Sequence, residues 1–98
     1  MPISSTLQGK HALVTGGTRG IGFAIARGFL EAGATVTLCS RKQENVDNAI
    51  AQLTEFQSEV QGVAAHVGKT DDVVRLLATA EAHFGNVHVL VNNAGTNT

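Results

Sequence analysis

Tyrosine and tryptophan are missing from the 98 residues, and cysteine occurs once. One cysteine excludes an internal disulfide framework and suits a reducing compartment. Charge is scarce as well: 15% of residues are charged, the net charge is -1 and the pI is about 6.4. The longest basic run is Arg41-Lys42, so the clustered basic face that nucleic-acid binding needs is missing. No apolar stretch approaches the ~20 residues of a membrane span. The first ten residues, Met1 to Lys10, lack the basic start and apolar run of a secretory signal. Gly95-Thr96-Asn97-Thr98 matches no peroxisomal or lipidation tail. These absences predict a cytoplasmic protein with no nucleic-acid or membrane partner. What is plentiful is glycine, eleven residues, within a chain that is 43% hydrophobic. That content fills one modest core, hence one domain over residues 1–98.

The hydrophobic pattern changes period along the chain. His11 to Thr15 reads as strand one, stopped by Gly16-Gly17. From Gly20, a stripe of Ile21, Ala24, Ile25, Gly28, Phe29 and Ala32 recurs at three- and four-residue steps and predicts a helix. Gly33 is its expected stop. Ala34 to Cys39 reads as strand two, followed by a helix with Val46, Ala49, Ile50, Leu53 and Phe56 on its apolar face. Val60 to Val67 reads as strand three. Thr70 is the expected N-cap of helix three, with Asp71 and Asp72 favouring its positive end. Its stripe is Val73, Val74, Leu77, Ala80 and Phe84, closed by Gly85. Val87 to Val91 reads as strand four, apolar enough to predict burial on both faces. The order β-α-β-α-β-α-β calls for an α/β fold with a doubly wound parallel sheet.

Strand one runs directly into Thr15-Gly16-Gly17-Thr18-Arg19-Gly20-Ile21-Gly22 and then a helix. Phosphates need close backbone approach and free N–H groups at a helix start, and glycine supplies both. Gly16 suits the tight turn, Gly20 the approach to a pyrophosphate, and Gly22 the packing of helix one on the sheet. No Gly-Lys-Ser/Thr follows, so this is not the loop of a P-loop NTPase. The residues alone leave open a glycine turn that binds nothing.

This glycine segment, with Asn92-Asn93-Ala94-Gly95 after strand four, resembles the short-chain dehydrogenase/reductase family. The Leu7-Gln8-Gly9-Lys10 lead-in and the Cys39-Ser40-Arg41 turn resemble its NADP-dependent carbonyl-reductase branch, which includes tropinone-reductase-like enzymes. The resemblance runs from Leu7 to Gly95. It implies a Rossmann fold with strand order 3-2-1-4, and a dinucleotide cofactor held by Gly16, Thr18, Arg19, Gly20, Ile21, Gly22, Ser40, Arg41, His66, Val67, Asn93, Ala94 and Gly95. An acidic residue after strand two would bond the ribose hydroxyls of NAD and repel a 2′-phosphate. Ser40 stands there instead, flanked by Arg41 and backed by Arg19, which favours NADP over NAD. Where the family usually places an Asp-Val pair to meet the adenine, this chain has His66-Val67. The four histidines show no metal-ligand spacing, and no metal site is expected.

The family's chemistry is hydride transfer to or from a small carbonyl or alcohol. It resembles acid–base catalysis by a tyrosine, a lysine four residues later, a serine and an upstream asparagine. With no tyrosine in the chain, no residue here takes a catalytic role. The sequence therefore reads as the adenosine half of a dinucleotide fold plus one strand, a truncated part of a longer oxidoreductase. The alternative is a non-catalytic module that binds a nucleotide or pairs with a full-length relative. Strand four then forms an apolar edge, through which self-association or poor stability is expected.

Overall fold

β1 (His11–Thr15) is buried along all five residues and lies inside the sheet, not at its edge. The computed structural model describes residues 6–93. The elements that follow are α1 (Gly20–Glu31), β2 (Thr35–Ser40), α2 (Gln43–Ala51), a 3-10 turn over Thr54–Phe56, β3 (Val60–Ala64), α3 (Thr70–Phe84) and β4 (Val89–Asn92). The sheet is parallel in the order β3-β2-β1-β4, the doubly wound arrangement that the βα alternation predicts. Leu13 of β1 faces Thr37 of β2 on one side and Leu90 of β4 on the other.

Alternation along the strands divides the interior into two layers. Ala12, Val14, Val36, Leu38 and Val60 meet Ala26 and Leu30 of α1, Ala49 of α2 and Leu53 just after α2. Leu13, Cys39, Val63 and Ala65 face the other way and meet Leu76 of α3. Leu38 and Leu53 are fully buried, each contributing roughly 1.5–3 kcal/mol relative to an exposed side chain. α2 comes close to β3 because Gly62 has no Cβ, which would strike the Val46 side chain.

Several helix and strand expectations need correction. In α1 the buried residues are Gly22, Ala26 and Leu30, whereas Ile21 is 74% exposed. The helix is apolar nearly all round, and close approach to the sheet selects small residues, not bulky ones, for the contact. In α3, Leu76 and Ala80 are buried while Val74 and Leu77 stand in solvent. Leu53 and Phe56 belong to the turn after α2, although Leu53 still reaches the core. β3 ends at Ala64, which leaves His66 and Val67 in the β3–α3 loop. Lys69, not Thr70, occupies the N-cap of α3, with no side-chain cap. Asp72 turns back to accept the His66 backbone N–H at 2.7 Å.

β4 is covered on one face only. Val89 and Val91 pack toward α1 and α2, while Leu90 on the opposite face is 63% exposed. Beside it runs an apolar groove of about 220 Å³, lined by Leu13, Val67, Val73, Leu76, Leu77 and Leu90 among others. Burial of β4 on both faces is therefore not observed.

The opposite, amino-terminal end of the sheet is tied by a polar relay. Gln61 Nε2 donates to Thr37 Oγ1 at 3.0 Å, and Thr37 Oγ1 lies 2.8 Å from His11 Nε2. His11 Nδ1 is 3.0 Å from the Gly85 carbonyl oxygen. That oxygen can only accept, so the proton sits on Nδ1 and the Thr37 hydroxyl donates to Nε2. The His11 ring also meets Phe84 edge-on, at 5.3 Å between centroids, which fixes the end of α3 against β1.

Candidate dinucleotide site

The carboxyl ends of β1, β2 and β3 open into one cleft of about 970 Å³. One end of it is the turn from β1 to α1. Gly16 and Gly20 adopt φ of 64° and 59°, the left-handed region that favours glycine. A Cβ on Gly20 would project into open space, so the bare backbone there is accessible to a ligand. The loop is clamped from both neighbours. Gly17 N–H donates to the Cys39 carbonyl of β2 at 3.2 Å. Asn93 Nδ2 donates to the Gly16 carbonyl at 3.3 Å, and Asn93 N–H donates to Thr15 Oγ1 at 2.9 Å. A Cβ on Gly22 would collide with the Gly16 carbonyl, so α1 can start this close to the turn only with glycine there.

α1 begins without help. Its N-cap, Arg19, is extended and makes no side-chain cap, and no acid lies in the first turn. The first N–H groups of the helix thus keep their capacity for oxygen ligands, and the aligned peptide dipoles favour negative charge there. Glycines that bare the backbone, an uncapped helix start and a braced loop together fit a pyrophosphate.

The second wall comes from β2 and the start of α2. Ser40, Arg41 and Lys42 line the cleft there, with Arg19 across from them on the glycine turn. Among the described residues none of the three cations has an ion-pair partner. Arg27, by contrast, is engaged with Glu31 and Glu55. Among the described residues, the one carboxylate lining the cleft is Glu44, on the first turn of α2. Cys39 forms part of the floor, and burial pushes its thiol up from its ordinary value despite an opposing hydrogen bond to the Gly16 backbone. A thiol so held stays protonated and unreactive.

The third wall is the loop after β3, with Ala65, His66, Val67 and Gly68. Of the residues expected from the sequence, Gly16, Thr18, Arg19, Gly20, Ile21, Ser40, Arg41, His66, Val67 and Asn93 come together around this cleft. Gly22 supports it from beneath, and Ala94 and Gly95 lie outside the described residues. Lys42, Asn45 and Gly68 also line it and were missed. Lys42 was visible in the Arg41-Lys42 pair, while Asn45 reaches the cleft only because α2 starts at Gln43. Among the described residues no group of three or more His, Cys, Asp or Glu side chains is placed to hold a metal.

The fold that carries this cleft is shared with known proteins. The family model for short chain dehydrogenases matches residues 10–98. The chain belongs to the short-chain dehydrogenase family. It is 50% identical over 91 residues to human dehydrogenase/reductase SDR family member 4, covering 93% of this chain and 33% of the relative. Human dehydrogenase/reductase SDR family member 2, mitochondrial, is also 50% identical over 91 residues, covering 93% of this chain and 32% of that relative. The chain thus spans about a third of the length of these curated relatives. Among solved structures, 2-keto-3-deoxy-D-gluconate dehydrogenase from Streptococcus agalactiae superimposes with a TM-score of 0.84 at 35% identity, over 94% of this chain and 35% of that one. The NADP-containing C-domain of a bacterial malonyl-CoA reductase gives the same TM-score at 27% identity, over 94% of this chain and 16% of that one. Membership brings the family's dinucleotide-binding Rossmann architecture to the cleft just described.

Proposed function

We propose that this chain forms the NADP-binding portion of an oxidoreductase that moves a hydride between NADPH and a small carbonyl or alcohol. The observation that carries the NADP reading is the end of β2, where Ser40, Arg41 and Lys42 converge on the cleft with Arg19. Unpaired guanidinium and ammonium groups suit a dianionic 2′-phosphate, and no carboxylate occupies the strand end to meet ribose hydroxyls instead. The nicotinamide supplies the hydride. The described residues bind the adenosine side, orient the pyrophosphate along the start of α1 and shield the base. No residue among them is assigned to proton transfer. Equilibrium titration of the chain with NADPH and NADH tests the reading, and equal affinity for the two would overturn it.

A second reading rests on β4. Leu90 and the neighbouring apolar groove suit a non-catalytic module that pairs with another chain through this edge. Sedimentation at increasing concentration tests it: a chain that remains monomeric excludes self-association. For the compartment, our reading is cytoplasmic, in keeping with the free buried thiol of Cys39. Among the described residues no helix is long and apolar enough to cross a membrane. The mitochondrial label of the human member 2 relative is the competing address, which fractionation of tagged protein distinguishes.

A further inference from the structure

Two imidazoles meet where β1, the start of β4 and the end of α3 converge. His88 brackets the His11 peptide: the His11 carbonyl accepts the His88 backbone N–H at 2.8 Å, and the His11 N–H donates to His88 Nδ1 at 3.0 Å. A backbone N–H can only donate, so His88 keeps Nδ1 bare and, when neutral, carries its proton on Nε2. His11 holds the opposite tautomer, with Nδ1–H on the Gly85 carbonyl and Nε2 taking the Thr37 hydroxyl. The junction therefore depends on two bare imidazole nitrogens, each facing a donor.

Neither ring accepts a proton in place without loss. A proton on His88 Nδ1 points at the His11 N–H. A proton on His11 Nε2 makes the Thr37 oxygen, which already receives Gln61 Nε2, the acceptor of two bonds and leaves its own buried hydroxyl proton unpartnered. The surroundings do not compensate. Lys10 adjoins His11 in the chain, Glu59 leads into β3, and Glu81 and His83 lie near the end of α3; all four are exposed. Among the described residues no carboxylate pairs with the ring of His11, His83 or His88. β4 itself spans Val89–Asn92 and bonds to β1 alone among the described strands. His88 precedes it, and Asn93, whose amide holds the Gly16 carbonyl, follows it.

We propose that His11 and His88 form a proton-operated latch: with both rings neutral it holds β4 on β1, and acid frees the start of β4 and slackens the Asn93 hold on the glycine turn. His88 is exposed and takes the first proton. His11 is 1% exposed and takes the second as the strands part. The unfolded chain takes up both protons freely, so in mild acid it binds more protons than the fold, and stability falls as pH drops.

The test is chemical denaturation at about pH 7.5 and about pH 5, for the chain and for His88→Asn, whose side-chain oxygen is an acceptor that does not titrate. The unfolding constant of the wild type should rise by about tenfold or more on acidification, and the variant should lose about fivefold of that rise. Every other titrating group is common to both proteins and cancels in the comparison, so equal rises overturn the latch. A second readout needs no variant. Nitrogen NMR of the imidazoles at neutral pH should show Nδ1–H for His11 and Nε2–H for His88, and like tautomers overturn the proposal. Coupling to the turn is read from the amide signals of Gly17 and Gly20, which should move together with the His88 ring signals as pH falls. Turn signals that stay fixed while His88 titrates overturn the slackening of the turn.

Discussion

Asn93 holds the glycine turn from the strand next to β1, its amide donating to the Gly16 carbonyl at 3.3 Å, beside the position where Gly22 leaves no room for a Cβ. The same peptide oxygen is thus fixed by β4 and approached by α1. A motif at the end of one strand and a motif after another, 77 residues apart, form a single mechanical unit.

Gly22→Ala strikes this unit. The new methyl meets backbone, which cannot rotate away, so either the turn or α1 must shift. Overpacking of this kind costs about 1–3 kcal/mol. We expect a lower midpoint in chemical denaturation and loss of measurable NADPH binding. Wild-type affinity in the variant would show that the turn does not hold the pyrophosphate.

Arg41→Ala and Lys42→Ala address the second anion. Charge-assisted bonds to phosphate contribute about 1.5–3 kcal/mol, so each variant should weaken NADPH by about tenfold and leave NADH nearly untouched. Both side chains are exposed, and screening is strong at a surface. The NADPH preference should therefore shrink as salt is raised, and titrations across ionic strength check it.

Cys39 gives a pH signature. Burial raises its thiol above the ordinary value of 9.0, against the opposing Gly16 hydrogen bond, so the folded chain holds this proton more tightly than the unfolded one. That contribution is complete below the unfolded value and is lost as pH rises toward the folded one. Stability should fall on the alkaline side of about pH 9, and Cys39→Ala should flatten the fall. Parallel pH–stability curves for the two proteins would expose an error in this assignment.

His11→Leu tests the relay at the other end of the sheet. The apolar side chain leaves the Gly85 carbonyl without its donor and the Thr37 hydroxyl without its acceptor. We expect a loss of about 2–3 kcal/mol, read as a lower Tm. A double-mutant cycle with Thr37→Val should give a coupling above about 0.5 kcal/mol. Additive effects would indicate that the two side chains act separately.

The βα alternation and the glycine turn were legible because they rest on signals local to a few residues, period changes and a run of glycines, whereas the strand order came from the family resemblance. Ile21 shows where legibility stopped. Hydrophobicity placed it inside, but the contact between α1 and β1 is so close that Gly22 and Ala26 occupy it. Leu90 was expected to be covered because apolar strands usually are, and its exposure depends on what stands beside β4, which a strand's own residues do not encode. His66 was placed at the site, yet its ring is held by the Gly68 backbone N–H, which donates to Nδ1 at 3.0 Å, a contact that only loop geometry supplies. Lys42 escaped because a basic pair looks the same whether it faces solvent or a cleft.

Ala12 of β1 pairs with Val89 of β4, which closes a much longer loop than the β1–β2 and β2–β3 pairings do. Contacts between distant positions form late in folding. The turn proposed to receive the pyrophosphate is written early in the sequence, but its brace arrives with Asn93. During synthesis, the glycine loop therefore emerges long before it can be held in its binding shape. The turn reaches its braced shape only at the close of β4, whatever helical structure the earlier residues have already reached.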